Sequence, residues 1–130
     1  MTRYIYFRKN KDNANHNGIM CVGYRYNKDS ASLDIGVSFC NPNDRFSRKR
    51  ARSIIDGRIK KNTKTTISGV EEAPKYSDVV NHVVKMTKEV IPDDPDVLAE
   101  MVADGGTDDN YPKVAGVKIP MWLPYSINNV

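Results

Sequence analysis

Apolar and polar residues alternate from Ser32 to Cys40, where Leu33, Ile35, Val37 and Phe39 are interleaved with Ser32, Asp34, Gly36 and Ser38. That is the period of a strand with one face in a core and the other toward water. Two earlier runs, Tyr4 to Arg8 and Ile19 to Tyr26, are rich in β-branched and aromatic residues and also read as strands. The segments between the three, NKDNANHNG and NKDSA, favour turns and are short enough for hairpins, so an antiparallel meander is predicted.

The period changes after Asn41-Pro42-Asn43-Asp44, where Asn43 or Asp44 is placed to cap a helix. Along that helix Ala51, Ile54 and Ile55 form a narrow apolar stripe that Ile59 extends beyond Gly57, with Phe46 as a staple to the sheet. Lys64 to Val70 is a polar stretch with strand character. Ser77 is then predicted to cap a second helix running to about Ile91, with Val79, Val80, Val83, Val84, Thr87, Val90 and Ile91 on one side. So many β-branched residues lower helix propensity, so packing has to hold the element, and a strand and turn compete for it. Pro92 ends this helix. Asp94-Pro95 opens a short third one from Asp96 to about Ala103, with Val97, Leu98, Met101 and Val102 inward and Asp104-Gly105-Gly106 closing it.

Residues 111–130 carry three prolines among apolar residues and read as an irregular arm or hairpin packed on the body, anchored by Trp122. At 130 residues the chain fits one domain. The predicted class is α+β, with a three- to four-stranded antiparallel sheet against one basic helix and one or two further helices.

Charge changes this picture most. From Asp44 to Lys61 the chain has eight Arg or Lys against Asp44 and Asp56, a local charge of +6 in a protein of net charge +4. Arg45, Lys49 and Arg52 stand at i, i+4 and i+7 and are predicted to share one outward face with Arg48 beside them, followed by Arg50, Arg58, Lys60 and Lys61. A field concentrated on one element points to an anionic partner, nucleic acid or an acidic protein surface. An acidic run from 93 to 109 contains Asp93, Asp94, Asp96, Glu100, Asp104, Asp108 and Asp109 and no Lys or Arg. It is placed to neutralise the basic helix, to pair with it between copies in self-association, or to meet a partner of its own.

Tyr4 and Tyr6 lie two apart on one strand and Tyr24 and Tyr26 two apart on the next, with Arg3, Arg8 and Arg25 nearby. If the two pairs share a sheet face, they form a four-ring platform on which bases stack. Otherwise the rings cover the core with their hydroxyls at the rim. Catalytic and metal chemistry find less support. Asp34, Glu71, Glu72 and Lys75 have the residue types of a metal nuclease, but Glu72-Ala73-Pro74-Lys75 has the wrong spacing. DGGTDDNYPKVA lacks the order of a calcium loop, and His16, Cys21, Cys40 and His82 lack the close ligand pairs of a zinc site. No catalytic residue, metal or cofactor is assigned, and Cys21 and Cys40 read as free thiols. No apolar stretch approaches the roughly 20 residues of a membrane span, and the first ten residues lack the pattern of a signal peptide, so the expected location is the cytoplasm.

Ser38, Phe39, Cys40, Pro42, Asp44, Phe46, Ser47, Lys49, Arg52, Gly57 and Arg58 together make a strand, a Pro-x-Asp-x-Phe-Ser turn and a basic helix closing with Gly-Arg. Over residues 36 to 59 this resembles small tailed-bacteriophage proteins, most of them without assigned function, and Ala51 stands where that pattern has glycine. The resemblance implies phage origin and residence in the host cytoplasm. It adds a rival to nucleic-acid binding, a phage-encoded inhibitor that docks on a host or defence protein.

Overall fold

A computed structural model describes residues 1–8, 19–41, 45–91, 96–97, 100 and 112–120. Strands β1 (Arg3–Arg8), β2 (Ile19–Asn27) and β3 (Ser32–Cys40) form the expected antiparallel meander. Helix α1 (Arg48–Lys60) follows, and β4 (Thr65–Ser68) then adds to β3 to give the sheet order β1-β2-β3-β4. Helix α2 (Tyr76–Val90) and a small hairpin of β5 (Lys113–Val114) and β6 (Val117–Lys118) complete the described elements. The protein is α+β.

The sheet is covered on both faces. On one, Ile5, Phe7, Met20, Val22, Tyr24, Leu33, Ile35 and Val37 cluster with Val79 and Val83 of α2 and with Val114, Ala115 and Ile119 of the hairpin region. On the other, Ile19 and Cys21 pack against Ala51, Ile55 and Ile59 of α1, with Tyr4, Tyr6, Cys40 and Phe46 around them. The face of β3 expected to be wet is therefore partly buried, with Gly36 buried and Ser38 only 5 % exposed.

The reason lies in side-chain size. Gly23 and Gly36 are register partners, as are Cys21 and Ser38, so small residues from β2 and β3 lie side by side where α1 crosses. A Cβ on Gly23 would overlap Ile55 Cγ2, and one on Gly36 would lie 2.8 Å from Ile59 Cγ1. The two isoleucines fill the hollow that the glycines leave, which is how α1 comes close to the sheet.

Helix α1 begins later than the cap residues at 43 and 44 suggested. Ser47 is the N-cap, its Oγ accepting from Arg50 N at 3.3 Å, and Arg45 and Phe46 precede the helix. Phe46 meets the Tyr6 ring edge-on with centroids 5.8 Å apart, so the expected staple holds just outside the first turn. The helix runs through Gly57 to Lys60, and Ile59 is buried as expected. Ile54 leaves the apolar stripe and is 37 % exposed.

Lys75, not Ser77, immediately precedes α2, and its backbone N–H donates to Asp78 Oδ2 at 3.4 Å. Val79, Val83 and Thr87 of that helix are buried, and the Thr87 hydroxyl donates to Val83 O. Of the predicted third helix, Asp96, Val97 and Glu100 are described and helical, but Val97 is 39 % exposed rather than inward. The remainder of that helix, most of the acidic run and Trp122 lie outside the described residues. Ala115 and Gly116 take the turn between β5 and β6 with φ of 49° and 78°, as a two-residue hairpin turn with both centres left-handed requires.

A candidate anion-binding surface on helix α1

The sequence of α1 works against its own dipole. Arg48, Lys49 and Arg50 occupy its first turn, which has no acidic residue, although the positive end of a helix favours anions. Tertiary contacts fix where these cations go. Ala51, Ile55 and Ile59 set the side facing the sheet, which turns Arg48 and Arg52 toward edge strand β1.

There the Arg52 guanidinium lies 4.8 Å from the Tyr4 ring centroid and 6.0 Å from that of Tyr6, and its Nε donates to the Tyr6 hydroxyl at 2.7 Å. Arg48 sits 5.1 Å from the Tyr6 centroid. Cation–π contact orders both groups while leaving other guanidinium N–H groups toward solvent, where both residues are exposed. The hydrogen bond to Tyr6 also holds Arg52 protonated beyond its ordinary range.

The Tyr4 hydroxyl donates to Asp56 Oδ1 at 2.5 Å. Burial first, and then this bond to a carboxylate, push the Tyr4 phenol up to about 12 from an ordinary 10.0. Because the folded value is the higher one, the contribution of Tyr4 to stability is complete below pH 10 and is lost as pH rises toward 12. An NMR titration of the Tyr4 ring should place its midpoint near 12, and Asp56→Asn should move that midpoint down.

The tyrosines do not make a four-ring platform. Arg3 is the register partner of Tyr24 and Tyr4 that of Gly23, so the two tyrosine pairs are one residue out of phase and face opposite ways. Tyr24 is buried in the core beneath α2, and the Tyr26 hydroxyl donates to Val70 O at 2.8 Å. The guanidinium groups of Arg48 and Arg52 pack on the Tyr6 and Tyr4 rings.

Arg45, Lys49 and Arg52 do not share the predicted face, because Arg45 is outside the helix and Arg52 turns to β1. Arg58 is also misplaced by the sequence reading. Its Nη1 donates to Val37 O at 2.7 Å, and burial lowers its pKa from the ordinary value. It is a brace between α1 and β3. Arg58→Gln should cost about 1 kcal/mol in urea denaturation while leaving the salt dependence of any anion binding unchanged.

Arg45, Lys49, Arg50, Lys60 and Lys61 are exposed. Lys64 Nζ pairs with Asp34 Oδ2 at 3.3 Å, and Thr66 also donates to Asp34. No carboxylate among the described residues ties down a cation of 45–61 in an ion pair, and Asp56 is hydrogen-bonded to Tyr4. Sequence reasoning missed the pairing of Arg48 and Arg52 with Tyr4 and Tyr6, which no local signal marks.

The same described residues contain no cluster of His, Cys, Asp or Glu able to hold a metal ion, and no helix long and apolar enough to cross a membrane. Cys21 is buried, and the Cys40 thiol donates to Asn41 O at 3.7 Å. No protein-family model matches the chain, and no curated protein or solved structure is similar to it.

Proposed function

We propose that this protein is a non-enzymatic nucleic-acid-binding protein that grips phosphates with α1. One observation carries the reading: the cations of 45–61, Arg58 aside, reach solvent without an ion-pair partner among the described residues. Arg48 and Arg52 are held on tyrosine rings one helical turn apart, and Lys49, Arg50, Lys60 and Lys61 extend the charge beyond them. Gly57 leaves open space on the helix, since a Cβ there would meet nothing within 4 Å, and that favours close approach by a backbone.

With Tyr24 buried and Tyr4 and Tyr6 covered, base stacking drops out and binding rests on phosphates, without sequence preference. The test is fluorescence anisotropy with mixed-sequence DNA and RNA, single- and double-stranded, over a range of salt. Absence of binding to all four would refute the reading.

A second reading, docking on an acidic surface of a host or defence protein, is favoured by Ile54. This residue is 37 % exposed on the basic helix, and an apolar side chain suits the centre of a protein interface better than a row of phosphates. A pull-down from nuclease-treated host lysate separates the two, since one stoichiometric protein retained there supports docking. The phage origin suggested by residues 36–59 belongs with this second reading.

A further inference from the structure

β1 stands at the edge of the sheet. β2 pairs with it residue for residue from Arg3 to Arg8, without a bulge, and among the described residues no backbone group bonds its other side. Every second residue of β1 therefore turns an N–H and a C=O outward. Edges are commonly blunted by a proline or a bulge, and RYIYFR has neither. Such an edge is a template for another strand.

A second observation concerns what stands over that edge. Tyr4 and Tyr6 share the face of β1 toward α1, two residues apart, with Arg52 4.8 Å from the first ring centroid and Arg48 5.1 Å from the second. Arg52 Nε donates to the Tyr6 hydroxyl, which leaves both Nη groups to grip a carboxylate. Neither arginine has an ion-pair partner among the described residues. Ile5 and Phe7 face the other way, into the core.

We propose that the β1 edge receives an extended acidic segment of a partner protein as a fifth strand, with carboxylates at two alternate positions meeting Arg52 and Arg48. Alternate residues of a strand lie about 6.8 Å apart on one face, the repeat that separates Tyr4 from Tyr6, so an acid-x-acid pair falls beside the two rings in register. The edge suits a peptide better than phosphates. Ionised phosphates accept hydrogen bonds and donate none, whereas the edge presents carbonyls as well as N–H groups, and a peptide strand satisfies both. Charge argues against a second copy of this chain. Two β1 strands paired antiparallel about a two-fold axis would set Arg48 and Arg52 of both copies along one seam. The inference does not rest on nucleic-acid binding, which Lys49, Arg50, Lys60 and Lys61 can carry separately.

The test uses the full chain and a capped peptide of six residues, the length of β1, that alternates glutamate with threonine. Titration followed by NMR should shift the β1 amide resonances and slow hydrogen exchange at alternate residues of the strand. Replacing the glutamates by glutamine should weaken binding about ten-fold, the worth of one charge-assisted hydrogen bond. N-methylation of one alternate set of peptide amides should abolish binding, and of the other set should leave it intact, because one set alone faces β1. Arg52→Gln should weaken the glutamate peptide and not the glutamine one, while Lys60→Gln should alter neither.

Silent β1 amides, equal affinity for the glutamate and glutamine peptides, or binding that survives methylation of either set would overturn the proposal. Protection of the β1 amides that grows with protein concentration and needs no peptide would assign the edge to a second copy. Protection by a mixed-sequence oligonucleotide would assign it to nucleic acid. Each of these results also counts against the proposal.

Discussion

Replacing Lys49, Arg50, Lys60 and Lys61 together by glutamine is expected to flatten the salt dependence of nucleic-acid binding by about 3.6 in log–log slope, from four phosphate contacts at about 0.9 each on duplex DNA. Between 50 and 200 mM salt, wild-type affinity should then fall about a hundred-fold further than that of the variant. These four residues are chosen because they are exposed and make no ion pair among the described residues, so their loss reports charge and little else. Arg48 and Arg52 are poorer choices. Their guanidinium groups also pack on Tyr4 and Tyr6, and replacing them would mix lost packing with lost charge. An unchanged slope in the fourfold variant would show that α1 is not the surface that meets phosphate.

The second expectation concerns the contact that places α1 on the sheet. Gly23→Ala should destabilise the protein by about 1–3 kcal/mol, since the new methyl enters a packed site occupied by Ile55 Cγ2. Ile55→Ala alone should cost about 2–5 kcal/mol, because Ile55 is wholly buried. In the double variant the added methyl fills part of the space the isoleucine leaves, so the loss should be smaller than the sum by about 1 kcal/mol or more. Urea denaturation of the four proteins closes this cycle. Additive losses would mean that Gly23 and Ile55 do not meet as described.

Much of the scaffold could be read from the residues alone. The run from Ser32 to Cys40 shows its strand through alternation, and β1 and β2 begin and end within a residue of where composition puts them. The start of α1 was less legible, because Asn43, Asp44 and Ser47 are all good cap residues. The docking of Phe46 against Tyr6, a tertiary contact, goes with the choice of Ser47.

The phase of β2 could not be read at all. Residues 19 to 24 are all buried, so no alternation says which way Tyr24 points, and only the pairing of Arg3 with Tyr24 decides it. The second covered face did leave a trace. Cys21, Gly23, Gly36 and Ser38 are small residues at alternate positions of adjacent strands, the mark of a helix packed close, and a reading that equates polar with wet passes over it.

The candidate site was legible as a concentration of charge and not as an arrangement. Spacing grouped Arg45 with Lys49 and Arg52, whereas the fold places Arg52 on Tyr4, turns Arg58 to the backbone of β3 and leaves Lys49, Arg50 and Lys60 exposed. Arg48, Arg52 and Arg58 have partners supplied by other elements, and helical periodicity carries no information about those partners.

The most direct measurement is the affinity of the wild-type protein for mixed-sequence oligonucleotides at several salt concentrations from 50 to 200 mM. A straight log–log plot falling steeply with salt, with similar slopes for unrelated sequences, is the expected result. Affinity indifferent to salt, or no binding at 50 mM, would contradict the claim that the free cations of α1 exist to meet phosphate.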